Sequence, residues 1–195
     1  MKFDNQRNQM VESQLRANLV IDESILDAFG SVQREKYFPE DLQSISYMDD
    51  TIFLNKIRFV LRPFILGKLI SNLNLGDDKN VLDVGSSNGY SAAILAKLFK
   101  KVTCIEEDES IFDSLVDICK AQKLQNVKII KQSFLSTEVV KDSFDNILVN
   151  GEINSDPLNF INYLKIGGKL VAIFRDGVVS YAVTYIKNNK NTYDK

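Results

Sequence analysis

Residues 81–93 read VLDVGSSNGYSAA, a sequence that changes character at its centre. The apolar side chains of residues 81–84 form a run that is too short for a helix and rich in β-branched residues, which favours a buried parallel strand. The glycines and small polar residues of 85–89 predict a turn, and the apolar spacing from Tyr90 to Leu98 predicts a helix. The stretch therefore predicts a strand, a glycine turn and a helix N-terminus.

The predicted turn suits a ligand, because a helix N-terminus offers unpaired N–H groups and a partial positive charge. A dinucleotide fingerprint needs glycine at its first, third and sixth positions, which here hold Gly85, Ser87 and Tyr90. The G-x-x-x-G spacing, with Asp83 before it and an aromatic residue after it, resembles motif I of S-adenosylmethionine (SAM) methyltransferases instead. A turn of purely structural meaning is the alternative.

The composition is that of an ordinary globular protein. The chain has 195 residues, 45% of them hydrophobic, and a formal net charge of −2. These values predict one domain and argue against a general affinity for nucleic acid or anionic membranes. The first ten residues are polar and charged, without the apolar region of a signal peptide, and no run approaches the length of a membrane span. We expect a cytoplasmic protein that acts as a monomer.

The absence of histidine limits the chemistry. A Ser-His-Asp triad is excluded, and without clustered cysteines so is a zinc site; we expect no metal. Cys104 and Cys119 fall within apolar strand and helix patterns, which predicts two small buried side chains and no disulfide. Catalysis would have to proceed without imidazole.

Residues 1–73 predict an α-helical N-terminal part of the domain, and residues 74–195 an α/β core. Asp22 can cap a second helix and Pro63 can begin a later one. The first helix is expected to bury one apolar face, formed by Met10, Val11, Leu15 and Leu19.

The rest of the chain alternates between strand and helix patterns. This alternation predicts βαβ units, hence a mostly parallel, doubly wound sheet with helices on both faces. Gly167-Gly168 is expected to be a break before the fifth strand. Asp176-Gly177 predicts a hairpin whose second arm, Val178 to Ile186, lies antiparallel at the sheet edge, and the end from Lys187 is expected to fray. The strands expected after the first are 102–105, 127–130, 147–149 and 170–174.

Glu106 follows the second predicted strand directly. Ligands of doubly wound sheets bind outside the carboxyl ends of the strands, and an acid there can accept both hydroxyl groups of a ribose. For its acidic neighbours at residues 107–109 the simpler interpretation is a solvated helix start.

Together these features resemble the protein-L-isoaspartate O-methyltransferases, over most of the chain. The segments that carry the resemblance are Met10-Val11, Gln14-Leu15, Arg34-Glu35, Phe38-Pro39, Tyr47 with Asp49, VLDVGSSNGYSAA, Glu106, FDNILV at Phe144 to Val149 and GGKLV at Gly167 to Val171.

The resemblance implies a Rossmann-like class I SAM methyltransferase that methylates the carboxylate of isoaspartyl residues in damaged proteins. A carboxylate is already ionised at neutral pH, so its attack on the methyl group needs no general base. Tyr90 could instead pack beneath the turn, and Asn88 could simply favour the turn conformation. The implied cofactor site consists of Asp83, Gly85, Ser86, Ser87, Asn88, Gly89, Tyr90, Glu106, Ser133 and Phe134.

Three departures from the family pattern fall where function is expected. The family signature GQTISQP corresponds to IRFVLRP at residues 57–63, so Leu61 replaces a serine and the contact of that hydroxyl near the methyl group is lost. Ser133 replaces the acid of a GDG-like turn, which removes an adenine contact. The final strand of the family is not recognisable in NNKNTYDK at residues 188–195.

The altered segment also contains Arg58 and Arg62, the remaining catalytic candidates beside the Leu61 position. They could hold an anionic acceptor by forked hydrogen bonds, or be solvated loop charges. Three hypotheses follow: an isoaspartyl methyltransferase, a non-catalytic descendant that acts as a SAM-binding or interaction module, and a methyltransferase for another anionic acceptor.

Overall fold

The computed structural model describes residues 2–56, 58–134, 143–189 and 192–195. Its centre is a seven-stranded sheet, accompanied by a short hairpin of β1 and β2. The strands are β1 (Ile52–Phe53), β2 (Phe59–Val60), β3 (Gly76–Val84), β4 (Phe99–Glu106), β5 (Val127–Lys131), β6 (Phe144–Ile153), β7 (Leu164–Asp176), β8 (Val179–Lys187) and β9 (Tyr193–Asp194).

The order of the strands in the sheet is β5-β4-β3-β6-β7-β8-β9. The first five are parallel, while β8 runs antiparallel to β7 and β9 antiparallel to β8. The chain moves outward from β3 to β5 and then returns to β6 on the other side of β3. The carboxyl ends of β3 and β6 therefore form the switch point at which such sheets bind ligands.

The helices are α1 (Lys2–Met10), α2 (Glu23–Ser31), α3 (Glu40–Gln43), α4 (Pro63–Ser71), α5 (Tyr90–Leu98), α6 (Glu109–Ala121) and α7 (Leu158–Ile161). Asp22 caps α2 through its carboxylate, which accepts from the backbone N–H groups of Ser24 and Ile25, and Pro63 begins α4. Both predicted helix starts are confirmed.

Apolar residues are buried on both faces of the sheet, which explains why its strands read as continuous apolar runs. Val81 and Leu148 belong to a core shared with the N-terminal helices, whereas Leu82 and Ile147 belong to a second core on the opposite face. The predicted α/β fold with helices on both faces is confirmed. Cys104 and Cys119 are buried free thiols, as predicted.

The prediction that Leu19 is buried with Met10, Val11 and Leu15 is wrong. A π-helical turn at Val11–Leu15 and a 3₁₀ turn at Arg16–Asn18 follow α1, so the α-helical spacing is not kept. Leu19 ends the segment with a φ of 62° and is 72% exposed, while the other three side chains are buried.

Three expectations about the C-terminal region are also corrected. Gly167 and Gly168 lie inside β7, where the register with β6 shifts, because four residues of β7 bulge out of the pairing. The expected fraying is not seen in the described residues 187–189 and 192–195: Lys187 is buried and donates to the Leu164 carbonyl at 2.7 Å. Tyr193–Asp194 is a final strand that the sequence did not reveal, so β9 forms the sheet edge, and the prediction that the hairpin arm β8 lies there is wrong.

Within the part of the chain that the structure describes, no helix has the length and apolar character needed to cross a bilayer.

Candidate cofactor-binding site

The glycine turn connects β3 to α5 at the carboxyl edge of the sheet. Gly85, Ser87 and Gly89 have φ values of 72°, 53° and 82°, so the turn passes through the left-handed region three times. A Cβ atom at Gly89 would lie 2.8 Å from Leu115 Cδ1 on α6. Glycine is therefore required at residue 89 both by the backbone conformation and by the close approach of α6.

Three small polar side chains stabilise the turn. Ser86 Oγ donates to the Asp83 carbonyl at 3.1 Å, and Ser87 Oγ donates to the Phe59 carbonyl of β2 at 3.1 Å. Asn88 Oδ1 accepts from the Tyr90 N–H at 3.2 Å, which agrees with the turn-forming interpretation of Asn88. These bonds fix the shape of the turn and join it to the β1–β2 hairpin.

Asp83 is fully buried beneath the turn. Its carboxylate accepts from Ser91 Oγ at 2.8 Å and from the side-chain amide of Asn150. Burial raises the pKa of Asp83 to about 6, although these hydrogen bonds oppose the shift.

Asn150 was not among the sequence candidates. Its place depends on the strand register, which the sequence does not show: Val84 pairs with Val149 in the parallel sheet, which puts the next residue of β6 level with the start of the turn.

Glu106 is the last residue of β4, at the carboxyl end of the strand where the sequence places it, and it is completely buried. Its Oε1 accepts from the N–H groups of Glu107 at 2.9 Å and Asp108 at 3.1 Å. Its Oε2 is buried and has no hydrogen-bond donor among the described residues. A buried carboxylate oxygen without a donor is costly, and a hydroxyl group is the kind of ligand that would satisfy it.

Arg58 lies on Glu106 rather than in solvent. Its Nε and Nη2 donate to Glu106 Oε1 at 3.1 and 2.8 Å, and Nη2 lies 3.5 Å from Glu107 Oε1. The side chain is only 16% exposed. Burial opposes the charged form, but the bonds to Glu106 outweigh it and raise the pKa of Arg58. The interpretation of Arg58 as a solvated loop charge is therefore wrong.

Phe134 lies between the turn and Arg58. Its Cζ is 3.7 Å from the position of a Cβ atom at Gly85, and the Arg58 guanidinium carbon is 5.3 Å from the centre of its ring. The N–H of Phe134 donates to Glu107 Oε2 at 3.3 Å. Ser133, the preceding residue, is exposed. A flat aromatic ring beside a buried acid is an arrangement that suits a nucleoside.

The side chain of Tyr90 points into the core, in agreement with the packing alternative. It is fully buried, and the Arg34 guanidinium carbon lies 4.5 Å from the centre of its ring. Arg34 is also buried, and it donates to the carbonyls of Ser46 at 2.6 Å and Leu61 at 3.1 Å. This arginine connects the helix start below the turn to the segment that contains Leu61.

Leu61 and Arg62 lie outside the cluster formed by Glu106 and the turn. Leu61 is buried in the wall of a groove of about 560 Å³, which is also lined by Phe59, Ile173 and Tyr181. Arg62 is 39% exposed and pairs with Asp50 at 3.3 Å, as expected for a solvated loop charge. Among the described residues, Arg58 therefore pairs with Glu106 and Arg62 with Asp50, and the two arginines do not share an acid.

The residues at the switch point fit an adenosine-containing cofactor. The unsatisfied Oε2 of Glu106 can accept from ribose hydroxyls, and the glycine turn at the N-terminus of α5 can lie against a charged group. Glu106, Phe134 and the turn of residues 85–89 are the residues that would hold it. Arg58 stands against the same carboxylate.

Comparisons with known proteins identify the family. A model of the protein-L-isoaspartate(D-aspartate) O-methyltransferases matches residues 5–194. The chain belongs to this family. The resemblance inferred from the sequence is confirmed, and with it the class of the protein, an O-methyltransferase family whose cofactor is SAM.

Individual relatives agree over most of their length. A protein-L-isoaspartate O-methyltransferase of Syntrophus aciditrophicus is 31% identical over 170 residues, covering 87% of this chain and 78% of the relative. One of Petrotoga mobilis is 28% identical over 172 residues, covering 88% and 81%.

Solved structures share the fold. A crystal structure from Plasmodium falciparum, described as a protein-L-isoaspartate O-methyltransferase in complex with S-adenosyl-L-homocysteine, has a TM-score of 0.78 at 21% identity. The aligned region covers 96% of this chain and 93% of the Plasmodium falciparum chain. A geranyl diphosphate C-methyltransferase of Streptomyces coelicolor A3(2) covers only 58% of this chain, with a TM-score of 0.52.

Proposed function

We propose that this chain is a SAM-dependent O-methyltransferase that repairs damaged proteins by methylating the carboxylate of isoaspartyl residues. The observation that carries the proposal is the buried, unsatisfied Oε2 of Glu106 beside the glycine turn, in a chain that belongs to the isoaspartyl methyltransferase family. When bound, SAM would supply a methyl group on a positively charged sulfonium centre, which is strongly electrophilic.

The chain's own residues would bind and orient rather than exchange protons. Glu106 would accept from the ribose hydroxyls, Phe134 would pack on the adenine, and the turn of residues 85–89 would lie against the rest of the cofactor. The acceptor carboxylate is ionised at neutral pH, so the lack of histidine is no obstacle. Most of the rate enhancement would come from positioning.

The groove beside Leu61 is our candidate for the acceptor peptide. It lies near the carboxyl ends of β6 and β7, where Glu152 and Ile173 form part of its wall. Lys68 also lines the groove, and Arg62 follows Leu61 at its edge. An apolar groove with cations nearby is suited to an extended peptide that carries one extra carboxylate.

Calorimetry followed by a transfer assay tests the proposal. We expect SAM to bind, and radiolabelled methyl groups to pass to an isoaspartyl peptide but not to the same peptide with ordinary aspartate. Binding without transfer to the isoaspartyl peptide would contradict the proposed substrate and favour the other two hypotheses. Failure of SAM to bind at millimolar concentration would contradict the cofactor as well.

A matched pair of variants tests the assignment of Glu106. Glu106→Gln keeps the size of the side chain but weakens the acceptor, and we expect it to reduce affinity for S-adenosylhomocysteine at least about tenfold. Glu109→Gln changes a side chain three residues further along that is 78% exposed and pairs with Lys131 outside the site, and it should leave that affinity unchanged. Equal affinities of the two variants would refute the ribose assignment.

We also propose that the chain works as a monomer in the cytoplasm, without nucleic acid. The net charge of −2 supports the last point. Light scattering should give a mass near 22.1 kDa. A mass twice as large would contradict the monomer.

A further inference from the structure

We propose that Arg58 is a gatekeeper of the cofactor site: its guanidinium, bonded to Oε1 of Glu106, fills the space between this carboxylate and the ring of Phe134 and has to leave that space when the cofactor binds. This inference rests on the proposed function. It adds a residue that controls cofactor affinity and that the resemblance to the family does not supply.

The first support is the saturation of one oxygen of Glu106. Two backbone N–H groups and two N–H groups of Arg58 all converge on Oε1, while Oε2 has no donor among the described residues. The backbone donors are fixed by the start of α6. Of the donors to this carboxylate, only the side chain of Arg58 can move away without unfolding a helix or a strand.

The second support is where Arg58 lies. Its guanidinium is bonded to the acid at the end of β4, and it also faces the ring of Phe134, which itself approaches Gly85. The cation therefore lies against two of the groups that would contact the nucleoside, the carboxylate of Glu106 and the ring of Phe134. A nucleoside cannot occupy this space while the guanidinium remains in it.

The third support is that Arg58 belongs to a short hairpin. β1 and β2 contribute two residues each, and the carbonyl of Arg58 accepts from the N–H of Leu54 at 2.9 Å. The next residue, Phe59, accepts from Ser87 Oγ in the glycine turn. Among the described residues, the bonds of Arg58 to Glu106 and Glu107 and this bond from Ser87 connect the hairpin to the site, so release of Arg58 would leave the hairpin easier to move.

Electrostatics favours the pair of Arg58 with Glu106 and makes it costly for a ligand to replace. Glu106 is completely buried, and an unpaired buried charge is strongly destabilising. The arginine neutralises it, whereas ribose hydroxyls would offer only neutral donors. Cofactor binding therefore exchanges a charge-assisted pair for neutral hydrogen bonds, and the affinity is reduced by that difference.

Calorimetry with S-adenosylhomocysteine on the full chain and two variants tests the proposal. Arg58→Gln removes the charge that competes for Glu106, and we expect it to bind S-adenosylhomocysteine about tenfold more tightly than the parent chain. Arg62→Gln makes the same change of charge four residues away, at a side chain that pairs with Asp50, and should bind within about twofold of the parent.

Thermal unfolding without ligand provides a readout that is independent of catalysis. Arg58→Gln should melt below the parent, because Glu106 loses its counter-charge, and should gain more in Tm from saturating S-adenosylhomocysteine. If Arg58→Gln does not fold, Arg58→Lys replaces it in both measurements: it keeps the charge but loses the two-donor fork, and we expect the same direction with a smaller effect.

The outcomes are distinguishable. Equal or weaker binding by the Arg58 variant, with the parent binding normally, would overturn the gatekeeper role and leave the proposed function intact. Tighter binding by both the Arg58 and the Arg62 variants would also overturn it, because the effect would then be one of general charge. Absence of binding by all chains would overturn the proposed function and the gatekeeper role with it.

Discussion

Asp83 should make the stability of the fold depend on pH. Its pKa in the folded protein is about 6, against an ordinary value of 3.8, because the carboxyl group is completely buried. An acid whose folded pKa is raised stabilises the fold while it is protonated. That contribution is complete below about pH 4 and is lost as the pH rises through 6.

Replacing Asp83 with asparagine should remove this dependence. The amide can accept from Asn150 and donate to Ser91, so it keeps the pairing without a charge. Relative to Asp83→Asn, the parent should lose about 2 kcal/mol of unfolding free energy between pH 4 and pH 7. Urea unfolding at the two pH values measures this difference. Asp113→Asn, at an exposed position on α6, is the control and should follow the parent.

Leu61 should matter for stability, whatever its role near an acceptor. It is buried in the wall of the apolar groove, so Leu61→Ser exchanges apolar contact for a hydroxyl that needs a partner. We expect it to lower the free energy of unfolding by about 2–4 kcal/mol. Leu61→Met, which nearly keeps the volume, should cost less than about 1.5 kcal/mol. Equal costs of the two variants would contradict the structure here.

Single residues differed in how far the sequence predicted them. Glu106 could be placed because its position follows from the end of an apolar run, which is local information. Its partner could not, because Arg58 is 48 residues away and the pairing depends on how the hairpin lies against the sheet. Asp83 was predicted to belong to the site, whereas its hydrogen bond to Asn150 requires the register of β3 and β6.

The turn between β3 and α5 tolerates substitution less than other turns with the same backbone conformation. Gly89→Ala would force a Cβ atom to 2.8 Å from Leu115 and also a φ of 82°. At Gly177, in the hairpin of β7 and β8, the φ is 60° and nothing lies within 4 Å of the added atom. Alanine at Gly177 would therefore introduce backbone strain alone, whereas alanine at Gly89 would introduce both strain and a steric clash.

We expect Gly177→Ala to cost about 1 kcal/mol and Gly89→Ala about 2–4 kcal/mol, because only the second adds a clash with the buried side chain of Leu115 on α6. Chemical denaturation of the two variants gives both values. A cost at Gly89 no larger than that at Gly177 would show that α6 adjusts freely.

Elements with strong periodicity were predicted well. The predicted helix from Tyr90 to Leu98 has those bounds in the structure, since apolar spacing defines its interior and the glycine turn its start. The π-helical turn after α1 and the two-residue strand β9 were not predicted. Both segments are too short to show a hydrophobic period in the sequence. β9 is also stabilised by contacts between distant residues, such as the hydrogen bond of Tyr193 Oη with Asp156 at 2.9 Å.

The molecule as a whole should unfold in one step, as predicted for a single domain. One apolar core contains residues of the helical N-terminal part, such as Phe29 and Ile70, together with Val81 and Val171 of the sheet. Because the two parts share their buried surface, neither can unfold without exposing the other. Calorimetric and van't Hoff enthalpies should therefore agree, and two separate transitions would show that residues 1–73 form an independent unit.

For the whole molecule, the sequence predicted the layers of helices around the sheet well, but it did not predict how short surface segments lie against them. Continuous apolar strands that alternate with helices leave few arrangements other than a doubly wound sheet. The position of the β1–β2 hairpin beside the glycine turn has no such signal, because it depends on contacts between distant residues, such as the hydrogen bond from Ser87 to the Phe59 carbonyl.

Cys104 and Cys119 sit within the shared core, and burial raises the pKa of Cys104 strongly and that of Cys119 to about 12. Neither sulfur can become a thiolate without water reaching it, so the folded protein should resist alkylating reagents and air oxidation. The rate at which a thiol is modified would therefore measure how often the native structure opens locally. Modification of Cys119 would report local unfolding of α6, and modification of Cys104 would report separation of the central strands.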